Sequence, residues 1–122
     1  MPEDITLDKK NKIIIVTSWG DVTFTDVKGS RDKIYQMYEE TGIDKVLVDA
    51  RKQTSFLKAL ETYDITEGSS DLDFKSKRIK WAVVPSKKTR KELRFLETAS
   101  LNRGLIVKLF DTMEEAIQWL KE

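Results

Sequence analysis

The chain has 122 residues, 39% hydrophobic and 35% charged, with a formal net charge of +1; the expectation is one soluble globular domain over 1–122, without a global field toward nucleic acid. It contains no histidine and no cysteine, which excludes thiolate nucleophiles, Ser-His-Asp triads, imidazole acid–base chemistry, disulfides and the usual zinc sites. The longest apolar runs, four residues each at Ile13–Val16 and Trp81–Val84, fall far short of the about 20 residues that a membrane span needs.

In chain order, Ile5–Asp8 reads as a short strand, Asp8–Asn11 as a turn, and Lys12–Trp19 (KIIIVTSW) as a strong β-branched strand that ends at Gly20. Asp21–Thr41 reads as helical; Val27, Ile34, Met37 and Tyr38 follow a three/four spacing. Gly29 and Ser30 weaken its start, so the firm helix is placed at about 30–41, with Gly42 as its stop. Lys45–Asp49 is the next strand, followed by a helix over 57–67, a loop at 68–71, and Leu72 and Phe74 as anchors to the core. Arg78–Val84 is a strand closed by Pro85. Thr89-x-x-Glu92 has capping-box spacing and opens a helix to about Asn102, with Leu93, Leu96, Ala99 and Ser100 inward. Leu105–Phe110 is the last strand, and Thr112-x-x-Glu115 opens a final helix over Met113–Lys121. The order β-β-α-β-α-β-α-β-α implies an α/β fold with a mostly parallel five-stranded sheet and an antiparallel first strand. A polar, acidic N-terminus without an apolar h-region, together with the absence of cysteine, points to the cytoplasm.

Three stretches, in this order and spacing, carry a family likeness. They are "IIIVTSWGDVT", "KVLVDAR" and "RGLIVKLFDTMEEAIQWL". With them the chain resembles the SpoIIAA-like group, which gathers STAS domains and the small STAS/SEC14 proteins. The resemblance implies a β-α superhelix with neighbouring parallel strands, and a non-catalytic binding or regulatory role. Phosphorylatable STAS antagonists carry Asp-Ser at the start of the helix after the third strand. Here those positions fall on Lys58 and Ala59, so no phosphoacceptor serine is carried over.

Candidate sites follow from placement and charge. Asp49 and Arg51 sit at the carboxyl end of a strand, where open parallel sheets bind ligands. Asp49 also suits a loop-capping role, and Arg51 an ion pair. Between 75 and 94 there are nine basic residues against the single acid Glu92, whereas 61–73 holds five acids and no base. Lys87, Lys88 and Arg90 crowd a helix N-terminus, which would favour an anion or an acidic partner. The alternative is a solvated face, or pairing of the basic and acidic stretches within one chain or across a homodimer. Trp81 reads as core, and Trp119 as the edge of an apolar face. A sheet face left open by the helices would bind an apolar ligand, lined by Ile13, Ile15, Ile106 and Phe110. The five glycines form no phosphate-binding loop, and the acid pairs lack companion ligands for a metal.

The expected function is therefore a non-enzymatic STAS-like binding or regulatory module without a cofactor. It would act on a protein partner through the rim formed by Asp49, Arg51, Lys87, Lys88 and Arg90. The alternative is a carrier or sensor of a small apolar or anionic, lipid-like ligand, by analogy with SEC14.

Overall fold

A computed structural model describes residues 3–58, 61, 62, 64 and 78–122. The strands are β1 (Glu3–Asp8), β2 (Ile13–Asp21), β3 (Lys45–Ser55), β4 (Lys80–Pro85) and β5 (Ile106–Leu109). The helices are α1 (Phe24–Thr41), α2 (Arg90–Asn102) and α3 (Met113–Lys121). The five strands lie side by side in chain order, β1-β2-β3-β4-β5. β1 runs antiparallel to β2, and every other pairing is parallel. This is the expected topology. The helix expected over 57–67, the loop at 68–71 and the anchors Leu72 and Phe74 lie wholly or largely outside the described residues.

The near-continuous apolar runs have a simple cause. The central strands are covered on both faces, so successive side chains are buried in opposite directions. Ile13, Leu47, Ala82 and Val84 meet Ala116 and Leu120 of α3 on one face. Ile14, Val16 and Val46 meet Ile34 of α1 on the other. On that second face, Ala50, Val83 and Val107 also meet Leu93 of α2. The helices are thus divided between the two faces, and neither face is left bare.

Three boundaries differ from expectation. First, α1 begins at Phe24 rather than near 30, because Thr23 and Asp26 form a capping box: the Asp26 N–H donates to Thr23 Oγ1 at 3.2 Å, and the Thr23 N–H donates to Asp26 Oδ2 at 3.0 Å. Two satisfied helix-end donors outweigh the weak propensity of Gly29 and Ser30. Second, Gly20 does not end β2 but stands inside it at φ +68°, a conformation that favours glycine. Third, β3 runs past Asp49 to Ser55, because the far end of β2 continues to pair with it through Trp19↔Lys52 and Gly20↔Gln53. The capping spacing at Thr89 also fails: its side chain makes no cap bond, and its hydroxyl instead lies 3.0 Å from Ser86 Oγ. At Thr112 the cap forms as expected, with the Glu115 N–H donating to Thr112 Oγ1 at 3.2 Å.

Candidate functional site

Asp49 and Arg51 are two residues apart in a strand, so their side chains leave the same face. They form a two-pronged ion pair, with Arg51 Nε 2.8 Å from Asp49 Oδ1 and Nη2 3.0 Å from Oδ2. The Arg51 hydrogen bond holds the Asp49 carboxyl below the usual carboxylate range, and Asp49 in turn raises Arg51. Glu114 adds a further favourable charge at Arg51. Arg90, the first residue of α2, reaches Asp111 at 2.5 Å. Two of the four cations expected at the rim are therefore answered by carboxylates of the same chain. Lys87 and Lys88 stand exposed in the turn after β4, with no ion-pair partner among the described residues. Pro85, two residues before Lys87, pairs with Ala50 in the sheet, which brings the turn to the level of Asp49 and Arg51. The acidic stretch 61–73 lies mostly outside the described residues, as does the start of the basic stretch.

The expected apolar face falls elsewhere than on an open surface. Ile13 is buried under α3, and Ile15 and Phe110 pack against the same cluster. The Phe110 ring lies 5.5 Å from the Trp119 ring, centroid to centroid. Ile106 is half-buried on the α3 side, as its pairing with Lys80 requires. Lys80 and Lys108 then lay their ammonium groups over Trp119 and Phe110, at 5.2 and 5.5 Å from the ring centres.

A concave feature lies on the opposite face, between α1 and α2. It is a pocket of about 110 Å³. Its floor is sheet: Val16, Val48, Trp81, Val83 and Val107. Ile34 and Tyr35 of α1 form one wall, and Leu93 and Leu96 of α2 the other. The Tyr35 ring meets Trp81 edge-on at 6.5 Å.

One end of this apolar pocket is polar. Glu3, Ser30, Arg31 and Gln53 line it. The Glu3 carboxylate accepts a hydrogen bond from Ser30 Oγ, and the nearby Ser18 hydroxyl favours its charged form. Ser18 stands opposite Glu3 in the β1–β2 hairpin and is fully buried. Gln53 Nε2 donates to Ser18 Oγ at 2.9 Å. A line of polar side chains thus runs from Gln53 through Ser18 to Glu3. Arg31 also holds Asp32 at 3.4 Å.

Burial raises the Glu3 carboxyl above its ordinary value, more than the two serine donors lower it. An acid whose folded pKa is raised binds its proton more tightly in the native state. Its contribution to stability is therefore present below the unfolded pKa and is lost as pH rises through the folded value. Glu3→Gln should accordingly be more stable than the parent chain at pH 7, and the difference should vanish below about pH 4.5. Urea unfolding of both chains at pH 4 and pH 7 measures this; a variant less stable at pH 7 would show that the serine bonds outweigh the buried charge.

Gln53 enters the pocket through a local irregularity. Between Thr17↔Asp49 and Trp19↔Lys52, β3 carries one more residue than β2. Strict alternation from Val48 and Ala50 would have turned Lys52 inward; the extra residue turns Gln53 inward instead. The trace of this in the sequence is slight: in "DARKQTS" the charges give way at Gln53 to an uncharged polar run.

A five-stranded sheet in chain order, with one antiparallel hairpin strand and helices on both faces, defines an α/β chain of SpoIIAA-like fold. A solved structure shares this organisation: an uncharacterised protein from the DUF3478 family with a SpoIIAA-like fold, from Shewanella loihica PV-4. The two agree with a TM-score of 0.59 over 97% of this chain and 91% of that one, at 14% sequence identity. At that identity the likeness speaks for the fold alone. No family model matches the sequence, and a search of the curated proteins finds no match. Among the described residues no group of carboxylates is arranged to hold a metal ion, and no helix is long and apolar enough to cross a membrane.

Proposed function

We propose that this chain is a non-enzymatic binding module whose site is the pocket between α1 and α2, which takes a small apolar ligand. The observation that supports it is the combination of apolar walls with a few polar side chains, Glu3, Ser30, Arg31 and Gln53 together with buried Ser100 of α2. Most binding pockets have this composition: area for affinity and a few polar groups for orientation. The absence of histidine and cysteine from the chain supports binding without chemistry. Native-spray mass spectrometry of untagged protein from cells tests the reading, beside a denatured control and a thermal titration with toluene. Retained mass that disappears on denaturation, or a rise in Tm with toluene, is the expected result. At a ligand concentration of 100 Kd the stabilisation is about 2.7 kcal/mol. A clean apo mass together with an unmoved Tm would remove the assignment.

A second reading, protein capture through the basic rim, keeps the support of Lys87 and Lys88. These two lysines are exposed and unanswered among the described residues, whereas Arg51 and Arg90 are engaged within the chain. Lys87→Glu combined with Lys88→Glu should abolish recovery of any protein that co-purifies with the parent chain, with Tm unchanged to within a degree or two, since exposed charges contribute little to stability. Undiminished recovery would place such a partner elsewhere.

A further inference from the structure

The Gln53 amide is half satisfied. It is 3% exposed, its Nε2 is used by Ser18, and its Oε1 has no hydrogen-bond partner among the described residues. The bond to Ser18 determines which atom is left over: Ser18 Oγ takes the amide N–H at 2.9 Å. The carbonyl oxygen remains, buried at the polar end of an apolar pocket. An unpaired acceptor in such a place is destabilising, and a ligand that brings a donor offsets that cost.

Size and charge narrow the ligand further. A cavity of about 150 Å³ lined by apolar side chains holds benzene; at about 110 Å³ this pocket is smaller, which makes a single ring or a short branched chain the upper limit. Both Glu3 and Arg31 line the polar end, so neither sign of ligand charge is favoured there.

We propose that the pocket binds a small uncharged molecule with an apolar body of about one ring and an O–H group that donates to Gln53 Oε1, a ligand of the phenol class. This rests on the pocket being the binding site, and the experiment separates the two claims. Phenol and toluene have nearly the same shape, but only phenol donates. Both are titrated into the parent chain and into Gln53→Met, with affinity from calorimetry and location from the methyl resonances of Val83, Leu96 and Val107. In the parent chain phenol should bind at least as tightly as toluene, although water holds phenol more strongly. In Gln53→Met the phenol-to-toluene affinity ratio should fall at least tenfold. Toluene binding well ahead of phenol in the parent chain would overturn the donor claim and leave the pocket standing; this comparison needs no variant. An unchanged ratio in Gln53→Met would do the same. Failure of both probes to bind, or shifts confined to methyls outside the pocket, would overturn both claims.

Discussion

Leu47→Ala is expected to destabilise the fold by about 2–5 kcal/mol, a large share of the about 5–15 kcal/mol that holds a domain together. Leu47 is 1% exposed in the middle strand of the sheet, flanked in register by Ile15 on β2 and Ala82 on β4. Its side chain lies in the cluster that seats α3, with Ala116 and Leu120. Two of its neighbours in that cluster are alanines, which have no further length to move into the space left behind. The cavity therefore stays open, and the cost should lie in the upper half of the range. Urea unfolding gives the value directly, with an unchanged slope if only the native state is affected. A cost below about 1 kcal/mol would mean that α3 does not press on β3 as described.

Val83→Phe should abolish toluene and phenol binding, weakening it by about two orders of magnitude or more, with little loss of stability. Val83 is 3% exposed, lies on the pocket floor, and touches the α2 side through Leu93. Adding a ring to a filled core costs about 1–3 kcal/mol because neighbours must leave their rotamers. Here the ring has a void to enter, so the cost should fall below about 1 kcal/mol, since cavity filling offsets the strain. The signature is thus a split: the ligand-induced rise in Tm disappears while the ligand-free Tm holds. Persistent binding in a folded Val83→Phe chain would place the ligand outside this pocket. The two substitutions sit on neighbouring central strands but point to opposite faces. Leu47→Ala should accordingly leave the affinity for toluene unchanged wherever the chain remains folded.

Much of the fold was legible because it depends on local signals. The β-branched runs around Ile14, Val46 and Val83 identify strands, Gly42 marks the end of a helix, and the Thr112 cap opens one. The sequence marks 21–41 as helical, but Gly29 and Ser30 mask how firmly α1 begins, because its capping box uses Asp26, shorter than the usual Glu or Gln. The Asp-x-Arg of "KVLVDAR" is plain in the sequence, but its setting is not. It lies inside a long strand, where its two-residue spacing makes it an internal ion pair before it can be anything else.

By itself the sequence determined the order of the described elements, the parallel sheet with its hairpin strand, and the exclusion of histidine and cysteine chemistry, since each follows from residue identity and short-range spacing. Only the tertiary structure decided which side of each strand faces which helix. Ile13 and Ile14 are indistinguishable as letters, yet one is sealed beneath α3 and the other packs toward α1. The polar end of the pocket depends on contacts still more remote: Glu3 meets Ser30 across 27 residues, and Gln53 meets Ser18 across 35. The physical reason is register. A strand's alternation has two phases, and one inserted residue exchanges them, so the choice rests with the pairing partner rather than with the strand.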